Sequence, residues 1–145
     1  MTTTRMLEAL EQEKALLEDF ICLSEEQVLF LKDENLDGFD ALLHKRAHLM
    51  MDLSIIEVKL AQWIQSIYHD PSVAPATLEQ MRRMNDEIVR MANHIIQIDE
   101  QAQREFDDIK KRTRAEIVDF NKARPSRTTP SFEYPIPRNG IEIED

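Results

Sequence analysis

The chain has 145 residues at 17.0 kDa, enough for one domain with a real core and too few for two ordinary ones. Eighteen Lys+Arg against 28 Asp+Glu give a net charge of −10 and a pI near 4.9, which disfavours nucleic acid and anionic membrane surfaces as partners, because binding them needs clustered cations. With only 2 Gly, phosphate-cradling loops, nucleophile elbows and hairpin-rich sheets lack their enabling residue, and a long-helix protein is the class that tolerates this.

The first predicted helix covers about residues 4–33. Met6, Leu10, Leu17, Ile21, Val28 and Leu31 recur at steps of three, four or seven, and Leu16, Phe20, Leu23 and Phe30 widen the stripe. Glu8, Glu11, Glu13, Glu18, Asp19, Glu25 and Glu26 are assigned to the solvated side. The single cysteine, Cys22, has no intramolecular partner and sits beside Phe20, Ile21 and Leu23, so it is expected to be a packed thiol.

Asp33-Glu-Asn-Leu-Asp37-Gly38 breaks the pattern, with Asp37 as the expected N-cap of a second helix at about 38–68. Its seam reads Phe39, Leu43, Arg46, Met50, Leu53, Ile56, Leu60, Ile64 and Ile67. Only Arg46 interrupts the apolar register, and its long stem is expected to carry the charged head out to water.

His69-Asp-Pro-Ser-Val-Ala-Pro75 forms the next connection, and Thr77 with Gln80 makes a capping box. A third helix at about 76–123 keeps helical spacing through Leu78, Met81, Ile88, Ile95, Ile98, Ala102, Phe106, Ile109, Thr113, Ile117 and Phe120, ending before Pro125. Residues 125–145, with four prolines, read as a flexible tail.

The expected fold is all-α: residues 1–124 as an antiparallel three-helix bundle or coiled coil with a long third helix. At 1.5 Å per residue the first two helices are each about 45 Å long and the third about 70 Å. Its last turns, about Asp107 to Ala123, are therefore expected to project, carrying the apolar stripe past its internal partners among Lys110, Lys111, Arg112 and Arg114. Residues 1–74 have a net charge of −8 and residues 75–145 of −2, so the basic cluster belongs to this end.

Catalytic signatures are lacking. Asp33-x-Asn35-x-Asp37-Gly38 matches the start of an EF-hand loop, but the twelfth position is His44, which cannot supply the bidentate carboxylate. His44 and His48 stand one turn apart with Lys45 and Arg46 between them, and no E-x-x-H accompanies them. No nucleotide, thiol-redox or serine-hydrolase fingerprint is present, so neither an enzyme nor a cofactor or metal is expected. Of the seven methionines, Met50, Met51, Met81, Met84 and Met91 lie in the second and third helices; they suit core filling, or a surface that adapts to apolar clients. No apolar run approaches a membrane span, and the start MTTTRMLEALEQEK lacks a signal-peptide core, so a cytoplasmic location is expected.

The stretch Leu29 to Met50, LFLKDENLDGFDALLHKRAHLM, resembles the junction of the first two helices in bacterial flagellar type III export chaperones of the FlgN type and, more loosely, the FliT type. The shared elements are an acidic turn of the form D-x-x-L-D-x-F/L, apolar residues four apart, a basic pair (here Lys45-Arg46) and a further apolar helix. The resemblance implies a chaperone without ATPase activity that binds the C-terminal helices of hook-associated proteins and passes them to the export gate or export ATPase components. It places client binding on Ile95, Ile98, Ala102, Phe106, Ile109, Ile117 and Phe120. An aromatic contact to the export gate is also implied, for which Phe120 and Tyr134 are the candidates. The other reading of the same residues is a structural coiled-coil subunit or adaptor that forms a homodimer through the third helix.

Overall fold

A computed structural model describes residues 2–123; the predicted tail, Tyr134 included, lies outside them. The described residues form three helices, α1 (Thr2–Lys32), α2 (Leu36–Tyr68) and α3 (Pro75–Lys122), and no strand. The expected all-α class holds. None of these helices is long and apolar enough to cross a membrane. The chain divides into two compact units, one ending at Ile109 and the other beginning at Lys110.

Within the first unit α1 and α2 are antiparallel: Gln27, late in α1, meets Phe39 and Arg46, early in α2. The part of α3 in this unit runs parallel to α1, because Lys14 pairs with Glu87 at 3.2 Å and Glu25 with His94 at 3.9 Å. A shared core joins Met6, Leu10, Leu17 and Phe20 of α1 to Leu53 and Ile67 of α2 and to Met81, Ile88 and Ile95 of α3. Burying each such apolar side chain contributes roughly 1.5–3 kcal/mol relative to exposure.

Each helix presents a seam that alternates steps of three and four, the spacing of a coiled coil. In α1 the seam is Met6, Leu10, Glu13, Leu17, Phe20, Ser24, Gln27 and Leu31, all buried. Glu13 therefore lies inside, not on the solvated side where the charge pattern puts it. In α2 the seam runs Phe39, Leu42, Arg46, Leu49, Leu53, Ile56, Leu60, Trp63 and Ile67. Leu42 is buried and Leu49 half-buried, whereas the predicted seam residues Leu43 and Met50 are exposed. In α3 the seam is Met81, Met84, Ile88, Met91, Ile95, Ile98, Ala102, Glu105 and Ile109.

The junctions also differ from expectation. Asn35, not Asp37, caps α2: its side-chain oxygen accepts from the Gly38 N–H at 2.9 Å. Ahead of it α1 ends in a Schellman turn, with Asn35 N–H donating to Phe30 C=O at 2.7 Å and Glu34 N–H to Leu31 C=O at 2.9 Å. Glu34 takes the left-handed conformation this requires, with φ of 56°. Gly38 allows the close approach that follows, since a Cβ there would lie 3.0 Å from both Asn35 and the Phe30 ring. α3 starts at Pro75, whose fixed φ suits the first helical position, so Thr77 lies inside the first turn and does not cap it.

Candidate interaction surface

A polar hub ties the three helices together. Arg46 of α2 donates from Nη1 to Gln27 Oε1 at 2.7 Å and from Nη2 to Asp99 Oδ2 at 3.0 Å, and its guanidinium lies 4.5 Å from the centre of the Phe20 ring. Its side chain is only 18% exposed, so the head does not leave the seam for water as its length allows. Gln27, itself fully buried, also donates from Nε2 to the Phe39 carbonyl at 3.3 Å. The fork geometry of a guanidinium serves two acceptors on two helices at once, which a point-charge ammonium does poorly.

Farther along the hairpin, Glu13 shares a side-chain hydrogen bond with Glu57. Burial, then the Glu57 charge and that hydrogen bond, push the Glu13 carboxyl above the usual glutamate range. Between α2 and α3, Asp70 accepts from Ser72 N at 2.9 Å and Ser72 Oγ at 2.6 Å, and these bonds hold its carboxyl below the usual aspartate range. Among the described residues no three His, Cys, Asp or Glu side chains converge as a metal site would require. His44 faces Asp40 at 3.9 Å, and both are well solvated.

The seven residues assigned to client binding are not equivalent. Ile95, Ile98 and Ile109 are buried and Ala102 is half-buried, so these four line the bundle's own seam. Phe106 is 38% exposed and stacks on Phe39 with centroids 6.3 Å apart, beside Arg46, Asp99 and Gln103. In the second unit every residue from Lys110 to Ala123 is exposed. There Ile117 is 54% and Phe120 57% exposed, one helical turn apart, with Val118 alongside at 50%. Val118 stands out of phase with the stripe, so helical spacing does not select it. Lys110, Lys111, Arg112, Arg114 and Lys122 outnumber Glu116 and Asp119 in the same turns, giving the stretch a net charge of +3.

The pattern itself changes at this point. The strict three-and-four alternation that ends at Ile109 would continue through Arg112, Glu116 and Asp119, all polar, while Thr113, Ile117 and Phe120 each stand one residue later. A four-residue step followed by another is a stutter, which loosens coiled-coil supercoiling.

Two further exposures lie outside the predicted site. Cys22 is exposed, in a groove with Asp19, Leu23, Lys45, His48 and Leu49, rather than packed. On α2, Leu36, Leu43, Met50, Met51, Ile55 and Val58 are between 41% and 64% exposed. Adjacent apolar residues such as Leu42-Leu43 and Leu49-Met50-Met51 are the signal of a second stripe, since one face cannot hold all members of each run. Comparison of the chain with family models, with curated proteins and with solved structures finds no match.

Proposed function

We propose that this chain is a cytoplasmic flagellar export chaperone of the FlgN type, which holds the C-terminal helical region of a hook-associated protein and passes it to the type III export apparatus. The observation that carries this reading is the exposed helical stretch from Lys110 to Lys122, in which Ile117, Val118 and Phe120 stand among an excess of cations. An apolar stripe of this kind suits an amphipathic helix that must be kept from assembling early, because docking covers the client's own apolar face. The Leu29 to Met50 junction motif supports the same assignment, and within the first unit Phe106 adds an exposed aromatic side chain. Ile95, Ile98 and Ile109 serve by holding α3 in place.

Isothermal titration of the chain with C-terminal peptides of hook-associated proteins tests the reading. Binding to one of them, weakened at least about tenfold by Ile117→Asp with the helical content retained, is the expected result. A self-associating coiled-coil subunit is the second reading, favoured by the near-continuous helical spacing along α3. It expects a stable dimer, no peptide binding, and dissociation on combining Phe106→Asp with Ile117→Asp.

A further inference from the structure

The exposed face of α2 is a second apolar surface, independent of the chaperone reading. Leu36, Leu43, Ala47, Met50, Ser54, Val58 and Ala61 follow one another at steps of seven, four or three, and Met51 widens the line. From Leu36 to Ala61 it extends along about 37 Å of helix. It lies away from the seam of Leu42, Leu53, Ile56 and Ile67 that packs inside.

The charges beside this line are of one sign. By helical position Asp40 lies within it, Asp37 and Glu57 border it, and Lys45 and Lys59 fall well outside, while Arg46 is held inside the bundle. Residues 1–109 carry 10 Lys+Arg against 22 Asp+Glu, so the whole unit reinforces the same field. Two copies joined face to face through α2 would set Asp37, Asp40 and Glu57 against their own kind, which disfavours a second copy here. Met50 and Met51 at the middle supply unbranched, adaptable side chains.

We infer that the outer face of α2 is a docking surface for a partner protein's amphipathic helix, about 25 residues long, apolar on one side and flanked by Lys or Arg. Apolar contact with the Leu36 to Ala61 line gives the affinity, and the acidic border selects the basic flanks.

The test uses designed helical peptides of that length: one with leucines on one face and lysine flanks, a twin with glutamate flanks, and a scrambled peptide of the lysine composition without an apolar face. Fluorescence anisotropy with the full chain is expected to show the lysine peptide binding at least about tenfold more tightly than either control, and more weakly as salt rises. Combining Met51→Asp with Val58→Asp should remove the binding, and Ile117→Asp should leave it unchanged. Because exposed Asp substitutions could weaken α2, Asp37→Asn with Asp40→Asn provides a second variant, expected to reduce the preference for lysine flanks while circular dichroism stays the same. Equal binding of the three peptides, loss with Ile117→Asp instead of the α2 variants, or a concentration-dependent dimer abolished by Met51→Asp would each overturn the proposal.

Discussion

Arg46 Nη2 and Asp99 Oδ2 meet at 3.0 Å between α2 and α3, and the other end of the same guanidinium reaches Gln27 on α1. Replacing Arg46 by methionine keeps most of the stem's packing but leaves the Gln27 amide oxygen buried without its donor, a loss of about 1–3 kcal/mol. Asp99→Asn should cost less, about 0.5–1 kcal/mol, because Asp99 is 44% exposed. Arg46→Lys should restore little, since it cannot reach both acceptors and stack on Phe20. Urea unfolding of the three variants, with a double-mutant cycle for Arg46 and Asp99, measures these differences.

Glu13 makes stability depend on pH in the direction opposite to most carboxylates. Its folded-state affinity for a proton exceeds that of the unfolded chain, so its contribution is complete below the ordinary glutamate value and is lost as pH rises through the raised one. Glu13→Gln should therefore stabilise the chain at neutral pH, and the gain should shrink to nothing in acid. Denaturation midpoints of wild type and variant, followed from about pH 4 to about pH 7, reveal the convergence.

At the start of α2 the cap is Asn35, so Asn35→Ala should cost about 1 kcal/mol. Asp37 lies in the first turn, where it acts through the helix dipole, and Asp37→Ala should cost about 0.5 kcal/mol. The reverse order in thermal unfolding would restore Asp37 as the cap.

Helix spacing and proline positions locate the three helices to within a few residues, and the seam of α3 is legible down to Ile109 because its outer face is mostly polar. The phase of α2 is not: Leu42-Leu43 and Leu49-Met50 offer two apolar faces of equal period, and only packing against α1 decides between them. The buried roles of Glu13, Gln27 and Arg46 are hidden for a different reason. Each is polar at a seam position, and the partners that compensate it lie on other helices, 19 and 53 residues away in the case of Arg46. Of the residues that the resemblance assigns to client binding, spacing alone does not separate Ile95, Ile98 and Ile109, which pack inside, from Ile117 and Phe120, which do not.

The exposed thiol gives a quick check on the phase of α1. Cys22 should react with a thiol reagent in the native protein at a rate near that of the unfolded chain. Protection until denaturant is added would place it back in the core.

The proposed docking of a client helix on the end of α3 is open to amide hydrogen exchange of the full chain with and without the C-terminal helical peptide of a hook-associated protein. The prediction is slowed exchange concentrated between Lys110 and Lys122, absent in the Ile117→Asp variant. Unchanged exchange across those residues in a peptide-saturated sample, or protection confined to the outer face of α2, would contradict it.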